Sequence, residues 1–157
     1  MMRMRGFTLI ELLVTLSLLA LILTSAAPMA QLTIKRSKEQ ELRRSLWQIR
    51  DAIDAYKKAS EDGLIKKLPG QTGYPPDLYI LVKGVENLRD PKKRKIYFMR
   101  NIPRDPFAPA SIETAEASWG KRSYASSFEE PAPGDDVYDV HSLSNEKGLD
   151  QRPYREW

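Results

Sequence analysis

With 157 residues the chain has room for one modest domain, and the absence of cysteine excludes disulfides, thiolate metal sites and thiol redox chemistry. The single histidine, His141, has no second His or Cys with which to build a metal cluster. The net charge of +4 is too mild to imply a polyanionic partner, and the one basic run, Lys92-Lys93-Arg94-Lys95 ahead of Tyr97 and Phe98, reads as a solvated loop, so no nucleic-acid partner is expected.

The opening Met1-Met2-Arg3-Met4-Arg5-Gly6 is short and basic, and an apolar run begins at once with Phe7. From residue 7 to residue 30 only Glu11 carries a charge, which gives enough apolar chain to span a bilayer as a helix of roughly 20 residues. A cleaved secretory signal is the rival reading, with Ser25-Ala26-Ala27 as its small-residue cleavage site. Pro28 removes one backbone donor and either kinks the helix or ends it. Beyond it, Leu42, Leu46, Ile49, Ile53 and Tyr56 recur at steps of three and four among Arg43, Arg44, Gln48, Arg50 and Asp51, so the helix continues in amphipathic form. Gly63 is the expected terminator, giving a helix over residues 7 to about 60.

From residue 64 to 107 the composition turns to Pro, Gly, Lys and Arg. Asp77, after Tyr74-Pro75-Pro76, is placed to cap a short helix over residues 78–82. Val85-Glu86-Asn87-Leu88 and Pro103-Arg104-Asp105-Pro106 read as extended or turning chain. The last third predicts strands over residues 121–128 and 137–143 about a turn at residues 131–136, with Tyr138 and Val140 alternating against Asp139 and His141. Two strands alone are marginal, so the amphipathic helix must cover the sheet. The fold class expected is α+β, a long N-terminal helix on a small antiparallel sheet. No histidine pair, phosphate loop or metal-ligand motif marks an enzyme.

The hexapeptide Gly6-Phe7-Thr8-Leu9-Ile10-Glu11, ahead of a continuous apolar helix, resembles the processing site of type IV prepilins and type II secretion pseudopilins. The resemblance implies a leader at residues 1–6, cut after Gly6 by a prepilin peptidase, with N-methylation of the new terminus at Phe7. It further implies an apolar membrane and filament-core helix over residues 7–30 and a head over residues 31–157. A carboxylate in hydrocarbon costs about 3 kcal/mol even on the lenient insertion scale, which makes Glu11 a functional residue by default. In a packed filament the amino group of Phe7 on one subunit would neutralise Glu11 on the next; the plain alternative is a Glu11 hydrated near the interface. Thr15, Ser17, Ala20 and Thr24 either permit close helix approach or are ordinary membrane-helix composition.

Downstream, Tyr74-Pro75-Pro76, Pro103-Arg104-Asp105-Pro106-Phe107, Trp119-Gly120, Tyr124, Asp139-Val140-His141-Ser142-Leu143 and Trp157 resemble the major pseudopilin of type II secretion, with residues 108–118 as an insertion. That likeness implies a homopolymeric periplasmic filament working with minor pseudopilins and an inner-membrane assembly platform. It also implies a single pass through inner-membrane lipid with the head in the periplasm, although Lys35, Arg36, Lys38, Arg43 and Arg44 outnumber Arg3 and Arg5 on a positive-inside count. A type IV pilus pilin and a signal-anchored module that never polymerises remain the alternatives. The likeness also implies a C-terminal calcium loop, for which Leu143, Ser144, Asn145, Glu146, Gly148 and Asp150 are the candidate ligands. Here Ser144-Asn145-Glu146-Lys147 replaces a Gly- and Asp-rich loop, and Arg152-Pro153 stands where a further aspartate is usual, so a plain polar loop is the other reading.

Overall fold

The computed structural model describes residues 6–157, with the backbone alone described at residues 25–28. Residues 1–5 of the expected leader and the side chains of Ser25-Ala26-Ala27 lie outside the described residues. The chain divides into two units, one ending at Ser37 and one spanning Lys38–Trp157.

Helix α1 covers Leu9–Glu61. It starts at Thr8, whose Oγ1 accepts from the Glu11 N–H at 3.3 Å and whose carbonyl accepts from the Leu12 N–H at 3.1 Å. Threonine three residues before glutamate is the capping-box spacing, and the threonine half of the box is made here. The backbone stays helical through Pro28, so the proline does not end the element. In the first unit every described side chain from Phe7 to Ile34 is exposed, over a stretch long and apolar enough to cross a membrane. Three hydroxyls along it are satisfied within the helix: Thr15 donates to the Leu12 carbonyl at 2.9 Å, Ser17 to Leu13 at 2.8 Å and Thr24 to Ala20 at 2.8 Å.

The second unit is built on the later turns of α1. Leu42, Leu46, Ile49, Ile53 and Tyr56 are all buried, as their spacing predicts, against Leu78, Leu81, Met99, Trp119, Val137, Val140 and Tyr154. Gly63 takes φ +68°, the Gly63 N–H donates to the Ser60 carbonyl at 3.2 Å, and the Leu64 N–H donates to the Ala59 carbonyl at 2.9 Å. This is the Schellman arrangement that ends a helix on a left-handed residue. Helix α2 is Tyr79–Lys83, and the Asp77 carboxylate accepts from the Ile80 N–H at 2.8 Å, the expected cap.

The strands differ from expectation. Val85–Glu86 (β1) pairs antiparallel with Lys95–Ile96 (β2), so the end of the basic run is a strand and a second small sheet exists. The main pair is Trp119–Arg122 (β3) with Asp139–Ser142 (β4), antiparallel, with Trp119 opposite Ser142 and Gly120 opposite His141. The first of these strands therefore starts ahead of residue 121 and stops well short of 128. Trp119 is drawn into the ladder because its indole N–H donates to the Pro103 carbonyl at 2.8 Å. Past Arg122 the ladder is replaced by turn contacts: the Ser123 N–H donates to the Ala132 carbonyl at 3.0 Å and the Tyr124 N–H to the Asp136 carboxylate at 2.9 Å. Arg50 pins α1 to β4, donating to the Asp139 carboxylate at 2.8 Å and to the Val140 carbonyl at 3.1 Å.

Gly120 is required by close approach, since a Cβ there would stand 2.2 Å from His141 Nε2. Burial of His141 in this slot pushes its pKa below the ordinary 6.5, against the pull of Asp139 and with the help of Arg122 and Arg50. The unfolded chain then takes up a proton near pH 6.5 that the folded chain still refuses, so stability should fall as pH drops below about 6.5. Urea midpoints across that range should show the slope, and His141→Gln should remove it; an unchanged slope would assign the effect to another group.

Candidate functional site

Two places concentrate the residues singled out from the sequence. At the N-terminus, Gly6, Phe7 and Thr8 precede the helix in irregular backbone, and Phe7 is 84% exposed. The Gly6–Phe7 bond thus lies outside the hydrogen-bonded helix. Glu11 sits in the first turn of α1 with its side chain exposed and no hydrogen bond or ion pair to another described residue. The helix start favours a negative charge by a few tenths of a kcal/mol up to about 1. That is well below the cost of holding the carboxylate in hydrocarbon, so the cap alone does not account for Glu11.

At the other end of the chain, the C-terminal loop is a small closed hairpin. Lys147 bridges antiparallel to Pro153, the Gly148 N–H donates to the Arg152 carbonyl at 2.8 Å, and the Tyr154 N–H donates to the Glu146 carbonyl at 3.1 Å. Ser144 accepts from the Glu146 N–H at 3.2 Å, and its own N–H donates to Ser142 Oγ at 3.1 Å. Leu143 and Asn145 point to solvent. Asp150 accepts from the Arg152 N–H and guanidinium, each at 3.1 Å, and lies 4.0 Å from the Arg43 guanidinium. A Cβ on Gly148 would stand 2.6 Å from both Asp150 Oδ1 and the Trp157 ring, so this glycine is there for close packing.

Charged oxygen donors are sparse in the loop. Among the described residues no three His, Cys, Asp or Glu side chains converge as metal ligands. Calcium takes six to eight oxygens from carboxylates, backbone and amide carbonyls and water, and binds more tightly the more of them are charged. Of the six candidates only Glu146 and Asp150 are acidic, and Asp150 already faces two guanidinium groups.

The loop is instead gripped by a stripe of α1. Glu39 is 8% exposed, and its Oε1 accepts from the Leu149 N–H at 2.8 Å and from the Tyr154 hydroxyl at 3.0 Å. Burial first and the neighbouring Glu39 second push the Tyr154 pKa up, which keeps that hydroxyl a donor. One turn on, the Arg43 guanidinium lies 4.3 Å from the centre of the Trp157 ring, and Arg50 donates to the Trp157 carbonyl at 2.8 Å. Sequence reasoning missed Glu39, although a signal was present. It stands three residues before Leu42 and so extends the apolar stripe with a charge, a position that demands buried partners.

The motif fragments on either side of residues 108–118 meet in space. Asp105 is 1% exposed, accepts from the Ser142 hydroxyl at 2.6 Å and from the Phe107 N–H at 2.8 Å, and donates its own N–H to Ser118 Oγ at 3.0 Å. With the bond from Trp119 to Pro103, this closes residues 108–118 into a side excursion held by Arg104, which donates to the Ile112 carbonyl at 2.7 Å and the Pro109 carbonyl at 2.8 Å.

Residues 1–27 match the family described as the prokaryotic N-terminal methylation motif. No curated protein and no solved structure matches the chain.

Proposed function

We propose that this chain, type IV pilin-like at its N-terminus and anchored through α1, is the major pseudopilin of a type II secretion system: a filament subunit and not an enzyme. The observation that carries the reading is the methylation motif matched over residues 1–27, which runs into the exposed apolar start of α1 and takes in the carboxylate of its first turn. A prepilin peptidase removes residues 1–6 and Phe7 becomes the methylated amino terminus. The apolar helix first holds the subunit in inner-membrane lipid with the head in the periplasm. An assembly platform and minor pseudopilins then start a filament in which neighbouring helices replace lipid around residues 7–30.

The choice of the secretion branch over a pilus is supported by the downstream likeness, whose separated pieces, Pro103 to Phe107 and Trp119-Gly120, are bonded together around the excursion at residues 108–118. The test is the mass of the protein purified from its host membrane. The mature chain should lack residues 1–6 and carry one methyl group on Phe7, and Gly6→Ala should keep the leader. A terminus after Ala26 or Ala27 would overturn the reading. Disrupting the gene should abolish export of secreted enzymes and spare pilus-driven motility; the reverse pattern would assign the chain to a pilus.

A further inference from the structure

We propose that Glu39 of α1 fastens the C-terminal loop in the place where the resemblance puts a bound cation, so that the loop's order does not depend on calcium. A calcium ion holds such a loop by giving its inward oxygens a shared positive centre. Here the polarity is inverted. The centre is a buried carboxylate, and it collects donors from the loop: the Leu149 N–H at 2.8 Å and the Tyr154 hydroxyl at 3.0 Å. Charge-assisted bonds of this kind are roughly twice as strong as neutral ones, and the low local dielectric around a side chain that is 8% exposed strengthens them further.

The rest of the loop is arranged for the same purpose. Asp150, which would have to be a ligand, is turned to Arg152 and Arg43. Arg43 also lies over the Trp157 ring, and Phe107 stacks on Tyr154, a partner of Glu39, at 4.1 Å between ring centres. Two guanidinium groups beside the loop's best carboxylate repel a divalent cation. The substitutions that remove the family's acidic ligands and the charge that replaces them therefore belong to one arrangement, although they lie more than a hundred positions apart in the chain.

Hydrogen exchange on the full-length protein in detergent micelles tests this directly, because the Leu149 amide is itself a donor to Glu39. In wild type, exchange at residues 147–157 should be the same in millimolar calcium chloride and in EGTA, and calorimetric titration with calcium chloride should release no binding heat. Glu39→Ala should speed exchange at the Leu149 amide by about tenfold or more, the change expected for the loss of one charge-assisted bond. Glu39→Gln keeps an acceptor oxygen and should retain most of the protection. Calcium should rescue neither variant. Slower exchange in wild type on adding calcium, rescue of Glu39→Ala by calcium, or unchanged protection in Glu39→Ala would each overturn the proposal. Amides of Leu46 and Ile53 report whether the head stays folded; if Glu39→Ala loosens them too, the wild-type comparison with and without calcium decides alone. No step of filament assembly enters this test, so its failure would leave the filament reading standing.

Discussion

Glu11→Leu should be processed and inserted normally and yet yield almost no filament. The helix does not need this carboxylate to start, because the bond made at its first turn uses the backbone N–H of residue 11, which leucine retains, and the hydroxyl of Thr8. Insertion should improve, since the substitution removes a charge whose placement at a helix centre in hydrocarbon costs about 3 kcal/mol. On the proposed pairing, what is lost is the counter-charge for the Phe7 amino group of a neighbouring subunit. Two facing apolar helices left with an unpaired ammonium would have to bury it, a cost of several kcal/mol per subunit. The measurements are the yield of sheared fibres, the amount of leaderless protein in the membrane and the methylation of Phe7 in the same sample. Co-expressed wild-type protein should rescue incorporation only in part. Fibres of normal length built wholly from processed Glu11→Leu subunits would refute the pairing.

Ile53→Ala should destabilise the head by about 2–5 kcal/mol, the cost of removing a fully buried aliphatic side chain and leaving a cavity. Ile53 is 0% exposed and lies in the middle of the stripe that carries the core. Trp47, only one residue from buried Leu46 but on the outer side of the helix, is 69% exposed, and Trp47→Ala should stay within about 0.5 kcal/mol. The pair makes the test independent of helix propensity, since both changes end in alanine on the same element. Urea denaturation of the two variants should separate them clearly. Equal midpoints would mean that the second half of α1 is not the wall of the core.

Much of this was legible in the sequence, and the parts that were not share a cause. The apolar anchor, the stripe from Leu42 to Tyr56, the Gly63 stop and the Asp77 cap all depend on residues within about two helical turns, where spacing and residue type determine the outcome. The strand limits failed because they depend on distant partners: Trp119 joins β3 through Pro103, and Tyr124 leaves it through Asp136. The short pair of Val85–Glu86 with Lys95–Ile96 has too few residues to show alternation at all. In the N-terminal site, Gly6, Phe7 and Glu11 were legible as a motif, while the helix-starting role of Thr8 was hidden beneath it. In the C-terminal loop the candidate ligands were chosen by likeness, whereas the residue that holds the loop, Glu39, lies on another element and shows itself only as a charge in an apolar rhythm.

Thr15, Ser17 and Thr24 each carry their own acceptor, a carbonyl three or four residues back on the same helix. A hydroxyl tied to its own backbone asks nothing of its surroundings, so moving these three side chains from one apolar medium into another breaks no polar contact and strands no donor. The proposed transfer from lipid to protein then turns on shape and on the Glu11 charge. A segment so indifferent to its solvent suits the subunit proposed above, which has to be stored in one apolar medium and used in another.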